Sequence, residues 1–230
     1  MTRGAAAISL LLGGLLIACA DPPIGEPLSG PVAGEDPTTA TLALDARGTF
    51  FLLRKDSRTC PSPTCGGAFV HRVNFSETRC ADGTLLPECY VAEVHLPPEA
   101  ADRPDESLFR GALSLSEDVN KPSLAVFDAT EVWSPDVLLG RPPEGTFFRI
   151  ERSQILCARA PCPNLKEAKL NSNAAAKYLQ ILDLSVGSDA ERALALSDAL
   201  NSALIVVGTN KPKKEGLALE AVQYYRRVEP

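Results

Sequence analysis

The sequence predicts an α+β, β-rich protein: two tandem, diverged copies of a small five-stranded domain with one helix, behind an export signal and a proline-rich spacer. Three observations predict it. Short motifs recur in the same order in the two halves of the chain. Six cysteines fall into close-spaced pairs. Strand-type and helix-type patterns follow one another in a similar order in each half.

The repeat sets the frame. Gly48-Thr49-Phe50-Phe51 returns as Gly145-Thr146-Phe147-Phe148, and Cys60 and Cys65 return as Cys157 and Cys162, all at an offset of 97. Tyr90-Val91-Ala92-Glu93-Val94 matches Tyr178-Leu179-Gln180-Ile181-Leu182 at 88, and Asn120-Lys121-Pro122 matches Asn210-Lys211-Pro212 at 90. Leu124-Ala125-Val126 then matches Leu217-Ala218-Leu219. The first copy is assigned to residues 45–140 and the second to 141–230. The drop from 97 to 88 means that copy one carries nine extra residues before its tyrosine strand. Cys80 and Cys89 lie in that stretch and have no counterparts, so they mark an extra loop closed by its own bridge.

Residues 1–18 have the parts of an export signal. Arg3 is the lone charge, and Ala5 to Ile17 form an apolar run. That run is shorter than the roughly 20 residues needed to cross a bilayer. Leu16-Ile17-Ala18-Cys19 resembles the lipobox of bacterial lipoproteins. The resemblance implies cleavage before Cys19, a diacylglycerol (palmitate-type) thioether on that cysteine, and attachment to the cell envelope. Two acyl chains make such an anchor durable, each buried methylene contributing about 0.8 kcal/mol. Alanine after the cysteine, where aspartate would retain the protein in the inner membrane of enteric bacteria, favours the outer membrane. Residues 19–44 form the lipidated cysteine and a tether, ADPPIGEPLSGPVAGEDPTTA at its heart, too poor in apolar residues to fold.

Within copy one, Thr49 to Arg54, Ala68 to Val73 and Tyr90 to Leu96 read as strands. Prolines between Cys60 and Cys65 favour a turn there. Pro97 to Arg103 reads as a short helical turn, followed by strands at Ala112–Leu115 and Leu124–Trp133. In copy two, Ser188 stands three residues before Glu191 in a capping-box spacing, and leucines recur at helical intervals through Leu200. Strands at Ala203–Val207 and Leu217–Arg226 follow. Three strands, a helix and two strands fit an OB-like barrel and other α+β sheets alike.

Besides Cys19 there are six cysteines, and an even number in an exported chain favours bridges. Spacing supports Cys60–Cys65, Cys80–Cys89 and Cys157–Cys162. On the loop-entropy model each contributes about 2–3 kcal/mol. Cys60-Pro-Ser-Pro-Thr-Cys65-Gly66-Gly67, Arg72-Val73-Asn74, Arg79-Cys80-Ala81-Asp82-Gly83 and Cys89-Tyr90-Val91-Ala92 together resemble an uncharacterised cysteine-containing domain family of myxobacterial lipoproteins. The resemblance covers copy one well and copy two partly, and implies no catalytic residues.

The chemistry is sparse. Net charge is −6 and the longest basic cluster is Lys211-Pro212-Lys213-Lys214, which argues against a nucleic-acid partner. Cys60, Cys65, Cys80 and Cys89 lack the tighter spacing of thiolate zinc sites, and no C-x-x-C redox pair is present. The two histidines, His71 and His95, do not recur in copy two, and no nucleophile motif accompanies them. Glu88, Glu93 and Asp183 read as solvated strand residues. No metal and no cofactor is expected. Trp133, Tyr224 and Tyr225 end the last strands and form a candidate aromatic contact surface. The expected function is a non-catalytic, membrane-anchored envelope lipoprotein that binds or scaffolds an envelope protein or glycan. The alternatives are an enzyme of unrecognised type and a metal or redox cysteine module.

Overall fold

The computed structural model describes residues 48–100, 106–118, 123–156 and 162–229. The expected signal, Cys19, the tether and Cys157 lie outside the described residues. No helix among the described residues is long and apolar enough to cross a membrane.

The first half holds β1 (Thr49–Lys55), β2 (Ala68–Arg72), β3 (Thr78–Arg79), β4 (Leu85–Leu86), β5 (Cys89–Val91), β6 (Glu93–His95), β7 (Leu108–Leu115) and β8 (Ala125–Pro135), with a 3₁₀ turn at Pro98–Ala100. The second half holds β9 (Thr146–Arg152), β10 (Leu165–Lys169), β11 (Lys177–Leu179), β12 (Ile181–Asp183), helix α1 (Asp189–Asn201), β13 (Leu204–Lys213) and β14 (Gly216–Arg227). Twelve strands form one large, mainly antiparallel sheet in the order β11-β10-β9-β13-β14-β8-β7-β1-β2-β5. β6 lies parallel to β8, and β12 parallel to β14. β3 and β4 make a separate hairpin.

The expected β-rich fold with one helix is present, as one large, mainly antiparallel sheet with no closed barrel. β8 pairs with β14, Trp133 opposite Arg227 and Pro135 opposite Tyr225, so hydrogen bonding continues from one half into the other. The pairing scheme within each half is nevertheless the same. Thr49 faces Gly111 across β1 and β7, and Thr146 faces Gly208 across β9 and β13. Both glycines sit at β-bulges. A Cβ there would meet the Asp128 carbonyl oxygen at 2.3 Å or the Glu220 carbonyl oxygen at 2.2 Å, so each bulge needs a bare backbone.

The paired aromatics of β1 and β9 follow from strands covered on both faces, where neighbouring side chains point opposite ways. Phe51 enters the core of the first half with Val70, Val91, Phe109 and Phe127. Phe148 enters the core of the second half with Ile150, Leu179 and Leu219. Phe50 and Phe147 turn the other way into a third core between the halves, with Leu108, Trp133, Ile205 and Tyr225.

Helix α1 begins where the sequence predicts. Ser188 Oγ accepts from Glu191 N, and Glu191 Oε2 accepts from Ser188 N at 2.7 Å. The packing face differs from the leucine pattern. Ala195 and Ala199 are fully buried, while Leu194 and Leu196 are exposed. Small residues let the helix sit close to the sheet.

Candidate functional site

Two features of the first half present themselves to solvent: a stapled loop and a groove. The loop runs from Asp56 to Cys65. Cys60 and Cys65 are bridged with 5.4 Å between their Cα atoms. Asp56 is buried and anchors the base, its backbone N–H donating to Gly67 O at 3.0 Å. The Arg58 guanidinium makes a fork to both Asp56 oxygens, at 2.9–3.2 Å, and also donates to Thr64 O. This guanidinium holds the Asp56 carboxyl down at about 2. The Arg58 guanidinium also lies over the rings of Phe69 and Tyr90, 4.9 and 5.1 Å from their centroids. The Tyr90 hydroxyl donates to Pro63 O at 2.8 Å. Side chains thus hold the loop from inside while its residues 57–64 face outward.

The groove lies where the first half meets the connection to the second. Leu52, Leu53, Pro142 and Pro143 supply apolar walls to a cavity of about 340 Å³; Arg54, His71, Glu88, Glu106 and Arg141 supply charge and hydrogen bonding. A second cavity of about 350 Å³ adjoins it, sharing Leu52, His71, Pro142 and Pro143 and reaching Asn74, Phe75 and Lys169. The wall 139–143 is positioned by Glu106, whose two oxygens accept from Leu139 N at 2.7 Å and Gly140 N at 2.6 Å. Arg54 pairs with Glu88 at 2.7 Å. Volume and lining suit a small ligand or a short segment of a larger one.

His71 has a definite task in this wall. Its Nδ1 lies 2.8 Å from Pro87 O, and a carbonyl only accepts, so Nδ1 carries the proton. Thr78 Oγ1 donates to the same carbonyl and accepts from Arg72 N. Together they hold the stem of the β3–β4 hairpin, which the Cys80–Cys89 bridge closes with 5.4 Å between Cα atoms. The expected extra loop is therefore a stapled hairpin with a short ladder of its own. His95 is elsewhere, exposed on β6, with Nδ1 2.7 Å from Asp128 Oδ1. The structure does not bring the two histidines together in one site.

The proposed aromatic contact surface is corrected. Trp133 is 1% exposed and Tyr224 and Tyr225 are 0% exposed. Trp133 and Tyr225 fill the core between the halves, and Tyr224 fills that of the second half, because both faces of β8 and β14 are covered there. Burial pushes the Tyr224 hydroxyl up to about 12 and raises Tyr225 as well. Cys162 is exposed, and its expected partner Cys157 lies outside the described residues.

Sequence reasoning missed Asn74 and Asn171 as functional residues of the join. Both adopt left-handed backbone, φ 67° and 55°. Asn74 Oδ1 accepts from Phe147 N at 2.8 Å, and its Nδ2 donates to Phe147 O at 2.8 Å and Leu170 O at 3.0 Å. Asn171 does the same in reverse, accepting from Phe50 N at 2.8 Å and donating to Phe50 O at 2.8 Å and Val73 O at 3.0 Å. Each half thus closes the backbone of the other's first strand. The signal was present: the two asparagines stand 97 apart, the offset of the cysteine and Gly-Thr-Phe-Phe matches.

A family model, Domain of unknown function (DUF6748), matches residues 49–230. The chain belongs to the DUF6748 family. No curated protein and no solved structure matches it. The DUF6748 match runs through both halves without a break, as the sheet does. It takes in the stapled loop, the groove and both asparagines of this DUF6748 chain, and brings no activity with it.

Proposed function

We propose that the chain is a lipid-anchored envelope protein with a non-catalytic body that binds an envelope protein or glycan in the groove of the first half. The observation that supports this most is the groove itself: apolar walls from Leu52, Leu53, Pro142 and Pro143 under a charged rim, with the 139–143 wall held in place by Glu106. A wall ordered before binding loses less entropy when a partner docks. The dispersed histidines and the absorption of four cysteines into two bridges favour this reading over a hydrolase or a thiolate metal site.

In this reading Cys19 carries the acyl chains, the proline-rich residues 19–44 hold the body off the membrane, and the outer membrane is the favoured location. The body consists of two diverged copies of one unit, 45–140 and 141–230. Support comes from the shared offset of 97 and the shared strand pairing, with the first strand of each half paired to its second and to the strand after the helical segment. The parallel β6–β8 and β12–β14 pairs give each copy the strand order of an OB-like unit, merged with its twin through β8 and β14.

The test is crosslinking of the native chain in intact envelopes, followed by capture, beside a Leu52→Arg variant that fills the groove. A partner caught by the native chain and lost from the variant supports the reading. No reproducible partner, or equal capture by both, overturns it. Intact mass before and after reduction tests anchor and bridges: cleavage before Cys19 with added acyl mass is expected, and a chain retaining Met1 without acyl groups contradicts it.

A further inference from the structure

At one buried place the second half carries a polar pair where the first is apolar. Val70 of β2 and Leu113 of β7 are apolar and pack in the core of the first half. The residues 97 positions on are Glu167 of β10 and Asn210 of β13. Glu167 is 2% exposed. β9 lies between their strands in the sheet, yet Asn210 Nδ2 donates to Glu167 Oε1 at 2.6 Å. The two remaining oxygens, Glu167 Oε2 and Asn210 Oδ1, are both buried and have no hydrogen-bond partner among the described residues.

We infer that Glu167 and Asn210 form a proton-operated latch in the second half: a solvent proton taken up on Glu167 Oε2 is donated to Asn210 Oδ1, closing a two-bond acid–amide ring, and its loss opens the latch. An ionised carboxylate has only acceptors to offer. It leaves two buried oxygens without a donor, which is costly. One proton satisfies both at once, while the existing Nδ2 to Oε1 bond stays. No other atom changes partner.

The surroundings agree. Ile150 of β9 faces Glu167 on one side and offers no charge. Lys177 of β11 faces it on the other, and Leu219 of β14 faces Asn210. Lys211 and Lys213 are engaged by Glu220. Burial raises the Glu167 carboxyl above its ordinary value against the weaker opposing pull of the Asn210 amide and the Lys177 charge. For an acid raised in the folded state the sign is fixed. The folded chain binds the extra proton, so stability falls as pH rises from the ordinary glutamate range near 4 through the folded value.

The experiment compares thermal and urea unfolding of the native chain and Glu167→Gln across pH 4 to 8. Glutamine offers a permanent N–H in place of the proton. Relative to the variant, the native folding constant should fall by up to tenfold per pH unit from about pH 4 until the folded-state carboxyl has ionised, and then level off. Asp136, also raised, acts equally in both chains and cancels. Parallel pH curves for the two proteins would overturn the latch. Should the variant not fold, a carbon-13 titration of the Glu167 carboxyl in the native chain decides. A midpoint above the ordinary glutamate value supports the latch, and one at or below it contradicts it.

Discussion

The two halves share a pairing scheme and differ in what is attached to it. The first half carries the stapled β3–β4 hairpin, the pinned 56–65 loop and only a 3₁₀ turn at Pro98–Ala100. The second carries the 13-residue helix α1. The common parts are the first-strand Thr-Phe-Phe, the bulge glycines, the turn asparagines and the aromatic ends of β8 and β14. Phe50, Phe147, Trp133, Tyr225 and the two asparagines meet at the join. The groove is lined by β1, by His71 and Glu88 at the stem of the stapled hairpin, and by Glu106 and Gly140–Pro143. Shared features therefore report how the halves hold each other, and divergent features report where function has room to arise.

The comparison breaks most visibly if the shared core is emptied. Trp133→Ala should cost about 3–5 kcal/mol, as for a large buried aromatic. Tyr225→Ala, its counterpart, should cost about as much in urea unfolding. A loss under 1 kcal/mol for either would mean that the halves do not depend on this core.

Removing the asparagine clamps sharpens the picture. Asn171 is 8% exposed and Asn74 is half-buried. Asn171→Ala strips partners from Phe50 N–H and Val73 C=O, at about 1–3 kcal/mol for each buried group left unpaired. Asn74→Ala should cost less, because water reaches its side more easily. Equal and negligible effects would show the clamp to be incidental.

The hairpin staple belongs to the first half alone. Replacing Cys80 and Cys89 together by serine should cost about 2–3 kcal/mol. It should speed hydrogen exchange at Thr78–Val91 and leave β9–β11 unchanged. Exchange that quickens equally in both halves would contradict a local role.

Acid acts on two carboxylates of the first half with opposite signs. Asp56 is held at about 2 by Arg58, so its contribution is complete above about pH 4 and fades as pH falls toward about 2. Arg58→Ala should flatten that acid limb. Asp136 works the other way. Burial pushes it up to about 6, so stability falls as pH rises from about 4 to about 6, and Asp136→Asn should remove the slope. The smallest effect is expected at Leu194, exposed on α1: Leu194→Lys should change stability by less than about 0.5 kcal/mol.

Much of this fold was legible in the residues. The capping box at Ser188 and Glu191 names the start of α1, and the Gly-Thr-Phe-Phe motif marks β1 and β9, because both rest on local chemistry. The pairing of β8 with β14 was not legible, since nothing local in Val132-Trp133-Ser134 states which distant strand lies alongside. That gap caused the misreading of Trp133, Tyr224 and Tyr225 as surface: a strand end looks exposed until a second sheet segment covers it. The leucines of α1 misled for a related reason, since close packing chose Ala195 and Ala199. Of the site, the stapled loop was legible from Cys60, Cys65 and their prolines. The groove was not, because Leu52, Glu106 and Pro142 are brought together only by the tertiary fold.

Trp133 is the chain's single tryptophan and sits in the core between the halves, while α1 belongs to the second half. Urea unfolding followed at once by tryptophan fluorescence and by far-ultraviolet circular dichroism therefore asks whether the halves are one body. A continuous sheet closed by two reciprocal asparagines predicts superimposed transitions with a common midpoint. A helical signal that melts at a clearly different urea concentration from the tryptophan would contradict it.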